Sequence, residues 1–478
     1  MRITRILPLA ALFALPACGD PGTELASTST FRVTVVGVNG GSPPLAEAPL
    51  PANRGDVDET WDFEIDARSP YGQPVPFEGM VRVSVEPGTV VALEGDGAIG
   101  RNILVSGGKA KGQARVTAVY GPARLWVEDL GYVPVPISTT PACSNGRDDD
   151  DDVLIDFPAD PGCAFADDDD ESSGSFSAGI SPPVHYELPR IGDVQGEGSQ
   201  TPYPYEAVEI NASRPKPLVV TRVASDGFYV TDLTDQDKGH NHIFAFNFST
   251  PPGMRVCDRV TFLSGTISEF FGFTELSFPS YRLEYPGEKD TCEVPEPAVL
   301  TDAMIGNPNE MEKLESGLVR IEGFVVAKKF GPKPVVNNIP DAEHSNCDLN
   351  GDGQVDFENA IEGSCANVCS GDPECTEWTS FSARGNYKVY NPSTLVQIQV
   401  QTGTAASFDP TAWKGKLLKS VTGTLRNFSG GSLNWTIETR CPDDLVCDGN
   451  PACVSSKIPS SKACVRLRTI GDNDQETN

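Results

Sequence analysis

The stretch on which the fold turns runs from Ile191 to Leu276 and opens Ile191-Gly-Asp-Val-Gln-Gly196-Glu-Gly198. It continues through Val219-Val220-Thr221 and Asp226-Gly227-Phe228-Tyr229-Val230-Thr231-Asp232. It closes with Val256-Cys257-Asp258-Arg259-Val260, Gly265-Thr266-Ile267-Ser268-Glu269-Phe270-Phe271-Gly272 and Thr274-Glu275-Leu276. Short β-branched and aromatic runs separated by Gly and Asp turns predict strands rather than helices. With 46 Gly and 40 Pro, the remainder of the chain reads the same way, and its 478 residues are too many for one domain.

This order resembles the OB-fold module of large secreted bacterial endo/exonucleases, which carry it just ahead of their catalytic domain. The resemblance implies a small barrel over residues 184–300 whose one face and two loops grip oligonucleotides or oligosaccharides. Those nucleases need a separate large domain rich in Asp, His, Asn and Glu. Only Cys441 to Asn478 follows the strand-rich part here, so none of their catalytic residues is carried over. Residues 313–440 read as a second OB-like module, with Leu318–Val326 as its first strand and Lys388–Tyr390, Leu395–Val400, Lys419–Leu425 and Asn434–Glu438 as the others. Val421-Thr-Gly-Thr-Leu425 mirrors Leu263-Ser-Gly-Thr-Ile267, which points to an internal repeat.

Ahead of both, residues 31–138 form short alternating runs, of which Trp61-Asp-Phe-Glu-Ile-Asp-Ala67 is the cleanest. Ala67–Val75 and Val85–Val90 resemble bacterial Ig-like repeats, sandwiches that act as spacers or adhesive modules. Residues 19–30 read as a tether, 139–183 as an Asp-rich, Cys-flanked loop and linker, 341–377 as a Cys-rich EF-hand-like insert and 441–478 as a disulfide-rich tail. The expected fold class is all-β and multidomain: an Ig-like β-sandwich followed by two OB-like barrels, with disulfide-rich calcium-type loops.

Residues 1–18 read as a signal peptide. Arg2 and Arg5 precede apolar Ile6–Leu15, and Leu15-Pro-Ala-Cys18 resembles a bacterial lipobox. Cys18 is then the expected lipidation site, with diacylglycerol on its sulfur and further acyl chains, palmitate among them, anchoring the chain to the membrane. Gly19 does not resemble the inner-membrane retention signal, so the outer membrane is the expected location, its periplasmic or external face left open. Setting Cys18 aside leaves twelve of the 13 cysteines, an even number that predicts six disulfides in an exported protein. They group as Cys143 with Cys163, Cys257 with Cys292, the quartet Cys347, Cys365, Cys369 and Cys375, and the quartet Cys441, Cys447, Cys453 and Cys464. Pairing within each quartet stays open. Zinc is disfavoured, because no Cys-x2-Cys pair partners another and there are only four His.

Two stretches carry calcium-type spacing. Asp348, Asn350, Asp352, Gln354 and Asp356 fall at alternate positions around Gly353, as in the start of an EF-hand loop. Asn359 replaces the bidentate Glu at the last position, which predicts weaker affinity than in a sensor. Asp148, Asp150, Asp152 and Asp156 repeat the spacing between Cys143 and Cys163, with Val153 where Gly is wanted. The competing reading of either stretch is a solvated acidic loop without metal. Ca2+ bound at these places would be structural.

A net charge of −30 argues against unassisted binding to nucleic acid or anionic lipid. The second module is the exception: outside its insert, residues 313–340 and 378–440 hold twelve Lys/Arg against four Asp/Glu. Lys328, Lys329, Lys388, Lys414, Lys416 and Arg426 are interleaved with Tyr390 and Trp413, a nucleic-acid-type signature. The insert holds ten acids and no base, and the competing reading is that it folds back and neutralises these cations. No nucleophile elbow, His-Glu-x-x-His or phosphate loop is present, so an enzyme is not expected. The expected function is an exported, lipid-anchored binding or scaffold protein of the cell envelope, stabilised by calcium, with a protein or glycan ligand of unknown identity. The alternative is a nucleic-acid-capture or nuclease-accessory lipoprotein acting through the second module.

Overall fold

The computed structural model describes residues 29–136, 139–172, 176–285, 292–331, 369, 372–404, 408–427, 435–447 and 464. Strand accounts for 44% of it and helix for 8%, so the chain is all-β as expected. It divides into two compact units. Of the described residues, the first comprises those through Ala48, Asp58–Thr117 and Pro122–His185. The second comprises Pro49–Val57, Ala118–Gly121 and the described residues from Tyr186 onward.

The first unit is a β-sandwich. Its strands are β1 (Thr30–Val38), β2 (Glu59–Arg68), β3 (Gly79–Glu86), β4 (Thr89–Gly95), β5 (Asn102–Val105), β6 (Lys109–Thr117), β7 (Pro122–Tyr132), β8 (Gly179–Ile180) and β9 (Val184–His185). One sheet has the order β1-β2-β6-β4; the other runs β5-β3-β7-β8, with β9 also on β7. The period-2 pattern of β2 puts Trp61, Phe63, Ile65 and Ala67 on the buried face, as its alternation predicts.

The expected linker at 139–183 is not one. It belongs to the sandwich unit: β8 pairs with β7, Asp169 N donates to Val133 O, and Val133 N donates to Asp168 Oδ1 at 2.8 Å. Asp168 is fully buried and also accepts from Ala164 and Asp170 backbone N–H groups, so a residue that reads as solvated is a structural acceptor. The expected module boundaries shift accordingly. The sandwich extends to His185, and 49–57 and 118–121 belong to the second unit.

The second unit contains two closed five-stranded barrels. The first follows α1 (Ile191–Gln195) and β10 (Ala207–Glu209) and uses β11 (Leu218–Ala224), β12 (Gly227–Asp232), β13 (His242–Phe246), β14 (Arg259–Glu269) and β15 (Thr274–Glu284). After β16 (Ala298–Val299), α2 (Asp302–Ile305) and α3 (Pro308–Glu312), the second uses β17 (Leu318–Val326), β20 (Asn386–Tyr390), β21 (Gln397–Gln401), β22 (Leu417–Asn427) and β23 (Trp435–Glu438). Its extra elements are β18 (Lys329–Phe330), β19 (Cys375–Thr376), α4 (Trp378–Arg384) and β24 (Leu445–Cys447). Barrel one runs β11-β12-β13-β15-β14 and closes on β11; barrel two runs β17-β20-β21-β23-β22 and closes on β17. In both, the third and fifth strands are parallel and the other neighbours antiparallel. This is OB-like topology, built twice.

The repeated Ser/Thr-Gly-Thr motif lies on the fourth strand of each barrel. There Gly265 faces the Ser277 carbonyl and Gly423 the Glu438 carbonyl, and a Cβ at either would press into that carbonyl of the fifth strand. Gly423→Ala is therefore expected to destabilise the second unit by about 1–3 kcal/mol, the usual cost of overpacking. A urea midpoint indistinguishable from wild type would show that the strands part freely there.

Four disulfides lie in the described residues: Cys143–Cys163, Cys257–Cys292, Cys369–Cys375 and Cys441–Cys464. Cys447 is also disulfide-bonded. Cys18, Cys347, Cys365 and Cys453 lie outside the described residues. Among the described residues no helix is long and apolar enough to cross a membrane.

Candidate metal centre

Between Cys143 and Cys163 the backbone winds around its own carboxylates. Asp148 accepts from Asp152 N (3.1 Å) and Val153 N (2.8 Å), Asp150 Oδ1 from Asp152 N (3.1 Å), and Asp152 Oδ1 from Leu154 N (2.7 Å). These side-chain-to-backbone turns are what Asp does when no helix or ladder competes. Val153, standing where Gly was wanted, takes φ 79° and points its side chain into solvent at 84% exposure. A β-branched residue in the left-handed region is strained by about 1–2 kcal/mol, so the loop holds this turn against local preference.

Asp150 sits between Asp148 and Asp152, approaching Asp148 in one trio of carboxylates and Asp152 in another. Asp156 does not join them: both its carboxylate oxygens accept from Gly146 N, at 3.1 and 2.9 Å, so it closes the loop instead of facing an ion. Two residues absent from the spacing take its place. The ligand-capable oxygens of Asp150, Asp152 and Asp160 all lie within 4.8 Å of one another, and so do those of Asp148, Asp150 and Glu171. That separation is about twice a Ca–O bond length.

Asp160 is 1% exposed. Its Oδ1 accepts from Gly162 N at 2.6 Å, while Oδ2 is buried with no hydrogen-bond partner. Glu171, 2% exposed, accepts from Asp149 N and Asp156 N and thereby pins the far end of the loop. Among the described residues none of these five carboxylates has a Lys or Arg ion-pair partner. Burial first, then the negative charges of Asp152, Asp160 and Asp148, push the Asp150 carboxyl above its ordinary value. A buried unpaired carboxylate is costly, and a hard divalent cation with oxygen ligands removes that cost. The donor set is all oxygen, because both nearby sulfurs are consumed in the disulfide. These residues fit calcium.

The EF-hand-like stretch, Asp348, Asn350, Asp352, Gln354, Asp356 and Asn359, lies outside the described residues. His242 is buried against Thr231 Oγ1 at 2.8 Å, and burial drives it down to about 4, so it is neutral.

The eight residues of the nucleic-acid signature do not share one open surface. Lys328 Nζ meets Glu374 at 2.7 Å, and Lys388 Nζ donates to the carbonyls of Cys369 and Asp372. Lys416 lies over the Trp413 ring and donates to Ala412 O. Tyr390 is buried, Lys329 lies in β18, and Lys414 ends a short 3-10 turn. Arg426 is held between the Phe244 and Phe273 rings of the first barrel, at 5.1 Å from each, and within 3.7 Å of Asp226 and Glu438. The described end of the insert meets two of these cations, Lys328 through the Glu374 carboxylate and Lys388 through the Cys369 and Asp372 carbonyls.

Spacing along the sequence gave no sign of a second polar cluster, which joins the barrels. Arg222 of β11 donates to Glu438 and Thr424 of the second barrel and stacks over Tyr229 at 5.3 Å. A cavity of about 410 Å³ opens beside this cluster, with Arg222, Asp226, Arg384, Asn386, Arg426 and Glu438 on its walls. No protein-family model matches the chain, and neither a curated protein nor a solved structure matches it.

Proposed function

We propose that the chain is an exported, lipid-anchored binding or scaffold protein of the cell envelope, stiffened by calcium at the Asp148–Glu171 centre. The buried, unpartnered Asp160 Oδ2 carries this reading, because it sits in a disulfide-bracketed nest of carboxylates with no basic partner among the described residues. In this scheme the cation ties the Asp148–Asp152 loop to Asp160 and Glu171, in a segment that Asp168 already fastens to Val133 at the end of β7. The two barrels are the recognition modules, and the calcium acts within the sandwich unit alone. Their ligand is a protein or glycan rather than a polyanion, since Lys328, Lys388 and Arg426 are engaged within the fold and the chain carries a net charge of −30. The proposal has no catalytic step.

Calorimetric melts of the full chain with calcium and with a chelator test the metal: the sandwich transition is expected to rise in calcium, and an identical melt in both would count against it. The anchor has its own test. Cys18→Ser is expected to move the protein from the membrane fraction to the soluble fraction of fractionated cells. Retention in the membrane would refute lipidation at that residue.

A further inference from the structure

The connector between the barrels, α3 and the turn after it, is clasped from both sides. Lys313 O accepts from His240 N and Glu315 Oε1 from Thr274 N, both of barrel one. Ser316 N donates to Leu425 O, and Leu425 N to Gly317 O, in barrel two. At this clasp Thr274 joins two carboxyls, its N donating to Glu315 of the connector and its Oγ1 to Glu269 from the end of β14, and Glu312 of the connector stands close enough to act on them electrostatically. Glu312 and Glu315 are 7% and 2% exposed. Each of the three has one buried oxygen with no hydrogen-bond partner: Oε2 of Glu269, Oε1 of Glu312 and Oε2 of Glu315.

Among the described residues no Lys or Arg forms an ion pair with Glu269, Glu312 or Glu315. The neighbours of Glu269 are Thr274 Oγ1 and Thr201 N, both at 2.6 Å. Gln195 of α1 faces Glu315 and also donates to His242 O. His242 of β13 is neutral, Lys313 is ion-paired with Glu310 at 2.7 Å, and Glu275 of β15 is engaged by Ser268 and Ser277, with Arg426 the cation acting on it. Among the described residues, the groups whose ligand oxygens all approach within 4.8 Å do not include this trio, so it lacks the convergence seen around Asp150.

We propose that Glu269, Glu312 and Glu315 form a proton-held latch between the barrels, closed while the connector carboxyls carry protons and loosened as they ionise. Three like charges cannot share a buried contact, whereas neutral carboxyls there cost far less. The direction of titration agrees. Burial first, then the charge of Glu269, pushes Glu312 up to about 7; burial, then Glu312, pushes Glu315 well above the ordinary range. The folded chain therefore holds protons that the unfolded chain has released. Its stability is fully present below the unfolded value of 4.5 and is lost as pH rises through about 7. For each such carboxyl the folding constant falls about tenfold per pH unit across that window.

The test is calorimetry of the full chain in chelator at pH 5.5 and 8.5, with Glu312→Gln and the double variant E312Q/E315Q, whose amides mimic the protonated acid. The wild-type barrel transition is expected to fall between the two pH values. The double variant should lose at least half of that fall and melt above wild type at pH 8.5, with E312Q between them. An equal fall in wild type and E312Q would overturn the latch. Calcium restoring the wild-type transition at pH 8.5, but not that of the variants, would overturn it in favour of a cation.

Discussion

Glu438→Ala is expected to destabilise the barrel unit by about 3–5 kcal/mol, because it strands a buried guanidinium. Arg222 is 7% exposed and donates to Glu438, and Arg426 lies within 3.7 Å of the same carboxylate. Both arginines hold the Glu438 carboxyl below its ordinary value against the opposing effect of burial, with Arg222 the stronger influence. Their guanidinium groups in turn stack on Tyr229, Phe244 and Phe273. Removing both charges tells a different story. Arg222→Met with Glu438→Leu should recover part of the loss, since a buried ion pair replaced by apolar groups of similar size is often neutral, while Arg426 keeps only Asp226 at 3.7 Å. Urea unfolding of the two single variants and the double closes the cycle. Equal and additive losses would show that the pair does not couple the barrels.

The second large effect is a change of sign. In chelator, Asp160→Asn should stabilise the sandwich unit by about 1–3 kcal/mol, because it removes an unpartnered buried charge. In calcium the same substitution should destabilise it, because a ligand is lost while wild type gains about 2.7 kcal/mol at a calcium concentration a hundredfold above Kd. Melting wild type and variant in both buffers reads the crossing directly. Asp156→Asn serves as the contrast: its carboxylate only closes the loop on Gly146, so its effect should be the same in both buffers. Parallel behaviour of the two variants would return Asp156 to the ligand set.

Much of the architecture was legible because it rests on short-range pattern. The alternation of Trp61, Phe63 and Ile65 announces a half-buried strand, and the Ser/Thr-Gly-Thr repeat announces two barrels. Its glycines are needed for the same steric reason in both. The site was legible only in part. Asp148, Asp150 and Asp152 are set by local turns, so spacing finds them. Asp160 and Glu171 arrive through the Cys143–Cys163 closure and a buried return of the chain, which no fixed period encodes. Asp156 matched the period and was claimed by a nearer donor. Glu312 and Glu315 read as ordinary polar residues of a short connector, and only the packing of that connector against β14 and β15 buries them. Arg222 and Glu438 are 216 residues apart, beyond any local signal. The basic signature of the second barrel failed as a surface because a count of charges ignores their partners.

Calcium titration calorimetry on the full chain reaches the metal centre most directly, with D150N and D160N beside wild type to separate this centre from the Asp348–Asn359 stretch. Saturable calcium binding that both substitutions weaken at least tenfold is the predicted result. Calcium binding left unchanged by both, or absent from wild type, would contradict it.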